Sequence, residues 1–110
     1  MIELHGMDGL EFWVRKEAVE GFEPTTGGAT VFVLAEALSP VDVTESPAEI
    51  AAALSPLEFV EVAGVHLRSA LVQAVTNDRF CPGESVVLGE SSEMRVVMEP
   101  AELVALLEAT

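Results

Sequence analysis

Shifted by 53 residues, the chain falls on itself. Residues 14–54 align with 67–107 without a gap and give ten identities in 41 positions. These are Arg15/Arg68, Val19/Val72, Val33/Val86, Ser39/Ser92, Val43/Val96, Pro47/Pro100, Ala48/Ala101, Glu49/Glu102, Ala52/Ala105 and Leu54/Leu107. Apolar positions agree as well, at Val14/Leu67, Leu34/Val87, Val41/Met94 and Ile50/Leu103. The densest match sets Ser46-Pro47-Ala48-Glu49-Ile50 against Glu99-Pro100-Ala101-Glu102-Leu103. A period of this size constrains the fold strongly, because whatever supersecondary unit one copy forms the other should form too. The expected organisation is a tandem duplication: residues 1–55 and 56–110, meeting near Ser55-Pro56.

Each unit reads as a small antiparallel sheet closed by a C-terminal helix, an α+β arrangement. In the first, Met1–Leu4 and Phe12-Trp13-Val14 read as short strands around a Gly6–Gly9 turn. Residues 15–18 are too few for a lasting helix and read as one turn. Val19–Phe22 follows, then a glycine loop, the apolar run Thr30–Ala35 suited to a central strand, and the alternating Val41–Thr44. Ser46 is a natural N-cap, Pro47 fits the first helical position, and Glu49 closes a capping box for a helix over 47–54. The second unit repeats the order: strands at 57–62 and 65–67, a turn at 68–71, strands near 72–76, 86–88 and 94–98, and a helix over 100–108. A lone core of such a unit is marginal, so an intimate pseudo-dimer is expected.

The opening Met1-Ile2-Glu3-Leu4, with Gly9, Phe12, Val14, Val19, Val31, Val33, Val41, Val43 and Glu45-Ser46-Pro47-Ala48-Glu49-Ile50, resembles the FlbD family of small flagellar-operon proteins. The resemblance covers residues 1–54 and, more loosely, 57–107. It implies a fold and no catalytic residues, since the family has none assigned.

Charge narrows the function classes. Nineteen acids against five bases give −14, divided as −8 over residues 1–55 and −6 over 56–110. The acids form no tail and no long run, which fits a solvated surface that keeps the protein soluble. Such a chain should be repelled by nucleic acid and by anionic membranes. With half its residues hydrophobic it can still build a core. No basic leader precedes an apolar run at the start, and no apolar stretch is long enough to span a bilayer. The single cysteine, Cys81, has no internal partner. A reducing, cytoplasmic setting is therefore expected.

No arrangement of residues points to catalysis. His5 and His66 are far apart, no metal-ligand spacing exists, and the glycines form no phosphate loop. Neither enzyme activity, nor a metal, nor a cofactor is expected. One constellation remains as a ligand site: Arg15 and Arg68 at equivalent places, Lys16 beside the first, and Trp13 opposite His66. Arginines in both copies of an acidic unit can grip a carboxylate or phosphate, and the alternative is local pairing with abundant Glu. Three functions follow. The first is a non-catalytic scaffold that self-associates or docks a protein partner. The second is a sponge or sensor for a small anionic, nucleotide-like ligand. The third is an acidic nucleic-acid mimic of the kind phages deploy.

Overall fold

The computed structural model describes residues 1–34 and 40–109. Ala35, the expected end of a strand, and Ser39, one of the repeated identities, lie outside the described residues. The architecture is α+β, with antiparallel sheets and two helices. In chain order the elements are β1 (Ile2–His5), β2 (Glu11–Val14), a 3-10 turn (Lys16–Ala18), β3 (Val19–Thr25), β4 (Gly28–Val33), β5 (Val41–Val43) and α1 (Pro47–Leu54). Then come β6 (Val60–Val62), β7 (Val65–Leu67), a second 3-10 turn (Ser69–Leu71), β8 (Ala74–Asn77), β9 (Ser85–Leu88), β10 (Glu93–Val96) and α2 (Pro100–Glu108). The same succession of strand, strand, turn, three strands and helix thus occurs twice.

Local chemistry explains the best-defined elements. Ser46 accepts the Glu49 backbone N–H while the Glu49 carboxylate accepts the Ser46 N–H, and Pro47 fills the first helical position of α1. Ile50 and Leu54, four apart, are the buried residues of that helix. In β4, Val31 and Val33 enter one apolar cluster while Phe32 enters another, as alternation across a strand requires. The first cluster joins Leu4, Val19, Phe22, Val43, Ile50 and Leu54; the second joins Phe32, Leu67, Val87, Met94, Val96 and Leu103.

One sheet for each half was expected. The strands are instead distributed over a two-stranded sheet β1-β2, a three-stranded sheet β10-β9-β8 and a five-stranded sheet β5-β4-β3-β7-β6. The five-stranded sheet crosses between the halves where β3 meets β7, with Gly21 opposite Leu67 and Phe22 opposite His66. A Cβ on Gly21 would fall 2.6 Å from the His66 carbonyl oxygen, so the missing side chain is what admits the neighbouring strand. Leu67 buries into the second cluster, while the His66 ring stacks on Phe22 at 4.4 Å and 11°. Pairing with β3 as well as β6 makes β7 an inner strand and leaves no row of its backbone groups at a sheet edge.

Candidate functional site

The four residues singled out by sequence gather around the first 3-10 turn. Arg15 precedes it in extended conformation, and its carbonyl accepts the Ala18 N–H. Lys16 Nζ donates to the Ser55 carbonyl at 3.1 Å. Arg68, from the second half, donates through Nη1 to the Glu17 carbonyl, and its backbone N–H donates to Glu20 at 3.0 Å. Three of the five cationic side chains in the sequence therefore surround one turn. Lys16 and Arg68 reach backbone carbonyls, and the bonds of Arg68 to Glu17 and Glu20 tie the second half to the first. Arg15 stays exposed.

Trp13 projects from β2 on the face opposite Val14 and is 57% exposed, although its neighbours Phe12 and Val14 turn toward the first cluster. Met1 is 71% exposed on the same hairpin, and Met7 and Leu10 in its turn are exposed too. Trp13 and Arg15, two apart along an extended stretch, share the outward face. Its second-half counterpart, His66, is mostly covered by Phe22, with Nε2 3.5 Å from Glu61.

Two depressions flank this region. One, of about 450 Å³, is lined by Glu58, Phe59, Val60, Arg68, Ser69 and Ala70. The other, of about 290 Å³, runs along the start of β8 and is walled by Val104 and Leu107 of α2. Among the described residues no cluster of three or more His, Cys, Asp or Glu could hold a metal, and no helix is long and apolar enough to cross a membrane.

Two carboxylates that the sequence reading passed over organise the second half. Glu20 is fully buried, and its oxygens accept the backbone N–H groups of Glu90 and Ser91 and the Ser92 hydroxyl. Asp78 is buried at the start of the β8–β9 loop, accepting the Phe80 N–H at 3.0 Å and Arg95 Nη1 at 2.7 Å. The Phe80 N–H first, opposed by burial and helped by Arg95, holds the Asp78 carboxyl below its usual range. The available signal was an acid in the apolar stretch Val19–Phe22, with polar Gln73 at the equivalent position.

Compared with known proteins, the chain matches no family model, no curated protein and no solved structure.

Proposed function

We propose that the protein is a non-catalytic interaction protein, a duplicated β-rich scaffold of two FlbD-like units that associates with further copies of itself. The observation that carries this reading is the outward face and turn of the β1–β2 hairpin, where Met1, Met7, Leu10 and Trp13 are all exposed. An aromatic and three long apolar side chains on one short hairpin form the kind of anchor that interfaces bury. The repeated order of elements supports the duplication, and the β3–β7 junction supports an intimate pairing of the two units. At −14 per copy, association works against electrostatic repulsion, so salt should strengthen it. Sedimentation velocity across protein and salt concentration tests this: mass should rise with both. A single-chain mass under all conditions would reject self-association.

A second reading, a small anionic ligand, has one observation behind it. Arg15, Lys16 and Arg68 converge on one turn beside the depression that Arg68 and Phe59 line. Thermal melting with inorganic phosphate and with nucleotides tests it. A stabilisation lost in Arg68→Ala supports the site, and unchanged melting discards it.

A further inference from the structure

The two halves differ at one junction: β3 has β7 beside it, whereas β8 is the edge of its sheet. In the first half, Phe22 of β3 is covered by two rings supplied by the β6–β7 hairpin region. Phe59 lies 5.3 Å from it, and His66 is stacked on it. Val75 of β8 is the counterpart of Phe22 under the 53-residue shift. No strand lies beside β8 on its outer side among the described residues, since β8 is the edge of its sheet. The groove of about 290 Å³ runs there instead, lined by Val72, Val75, Val104 and Leu107.

The element that would fill this groove is also present and unused. The β1–β2 hairpin corresponds to β6–β7, with Ile2 opposite Val14 as Val60 is opposite Leu67. In that register Trp13 stands for His66 and Met1 for Phe59. Both are exposed, at 57% and 71%. Among the described residues β2 pairs with β1 alone.

The hairpin is anchored to its own half: Ile2, Leu4 and Val14 are in the first cluster, and the His5 carbonyl accepts the Thr44 N–H. It is thereby kept to its own side of the molecule, and the occupant has to come from outside.

We propose that the β1–β2 hairpin of a second copy docks on the free edge of β8, placing its Trp13 and Met1 in the groove between β8 and α2. The inference rests on the self-association reading and specifies its contact. Transferring the β3–β7 pairing sets Ala74 opposite Val14 of the partner copy and Val75 opposite its Trp13. Val14 then keeps facing its own cluster, while Trp13 faces the cluster across the junction, as Leu67 and His66 do in the observed one. Added strands of this kind bind through main-chain hydrogen bonds, with alternate side chains filling pockets. Reciprocal use by two copies gives a closed two-fold dimer.

Site-directed cross-linking tests the register in a Cys81→Ser background. The same pairing sets Arg15 of one copy opposite Gln73 of the other, and both are exposed. Arg15→Cys with Gln73→Cys should oxidise to a covalent dimer, because directly opposed antiparallel residues lie within disulfide reach. Glu11→Cys with Gln73→Cys, four residues out of register, should give none. Trp13→Ala, an exposed change that leaves folding intact by circular dichroism, should reduce self-association at least tenfold. A two-chain mass that survives Trp13→Ala without the matched cross-link would overturn this junction and leave self-association standing. A disulfide formed within one chain would show that the hairpin closes on its own β8, which also overturns the proposal. A single-chain mass throughout would overturn both readings.

Discussion

Gly89 lies against the Glu20 carboxylate so closely that a Cβ there would fall 2.1 Å from Oε2. The contact joins the first half to the turn between β9 and β10, where the Gly89 N–H donates to the Ser92 carbonyl. Gly89→Ala must displace either the turn or the carboxylate. The expected cost is about 1–3 kcal/mol, the range for overpacking a tight site, read from urea unfolding. Glu20→Gln tests the same contact from the other side. It turns an amide NH2 toward backbone donors and should destabilise by about 1–3 kcal/mol. No loss in either variant would mean that the turn is held by other contacts.

The His66 ring stacks on Phe22, yet its buried Nδ1 has no hydrogen-bond partner among the described residues. An unsatisfied buried nitrogen costs free energy that a carbon in its place does not. His66→Phe keeps the stacking and discards only the exposed contact with Glu61, which is worth little. A gain of about 1 kcal/mol in unfolding free energy is expected. A loss would show that the ring nitrogens are engaged.

His5 and Glu45 make stability depend on pH. The Glu45 carboxylate accepts both His5 Nδ1 at 2.6 Å and the His5 backbone N–H at 2.9 Å. The bond to Glu45 raises the imidazole above its ordinary value. Burial pushes Glu45 up, but the His5 bonds outweigh it and leave the carboxyl lowered. A raised histidine contributes fully below the ordinary imidazole range, and the contribution is lost as pH rises through the raised value. A lowered carboxyl contributes above the ordinary carboxylate range and is lost as pH falls through the lowered value. Wild type should therefore gain most over His5→Ala in the window between ordinary carboxyl and imidazole titration, with the difference shrinking on both sides. Urea midpoints across pH measure it, and a pH-independent difference would reject the pair.

What the sequence made legible was local. The helix at 47–54 rests on Ser46, Pro47 and Glu49, which act within one turn, and it forms over those residues. The run around Val31–Leu34 predicted a central strand, and β4 lies between β3 and β5. The meeting of β7 with β3 was not legible. It joins residues more than forty apart and depends on Gly21 having no side chain where His66 passes. Of the site, the repeat marked Arg15 and Arg68 as equivalent positions, each just before its own 3-10 turn, but not the reach of Arg68 back to Glu17 of the first turn. The use of Lys16 and Arg68 on backbone carbonyls was not legible either, because a charged side chain's partner is chosen by tertiary packing. Glu20 and Asp78 were hidden for a related reason: in a chain with nineteen acids, nothing in composition marks these two as the buried ones among the described residues.

Cys81 should be a slow nucleophile. Its thiol is hydrogen-bonded to Glu84, and this contact, followed by burial, pushes its pKa up. Since the thiolate is the reacting form, alkylation by iodoacetamide at neutral pH should be several times slower than that of a free cysteine. Glu84→Gln removes the negative charge and should speed it. A wild-type rate matching free cysteine would contradict this assignment.

The two helices begin with related segments but are capped differently, which gives a direct comparison of one interaction within one molecule. Ser46 and Glu49 bond each other's backbone N–H groups, whereas Glu99 at the equivalent place makes no side-chain capping bond. Ser46→Ala should cost about 1 kcal/mol. Glu99→Ser restores the hydroxyl three residues before Glu102 and should stabilise by about 0.5–1 kcal/mol, the value of a gained cap. Part of that gain is offset because a carboxylate near a helix start already interacts favourably with the macrodipole. The opposite signs are the test. Chemical unfolding should move the two variants to either side of wild type, and a destabilised Glu99→Ser would mean that the Glu99 side chain already serves the start of α2.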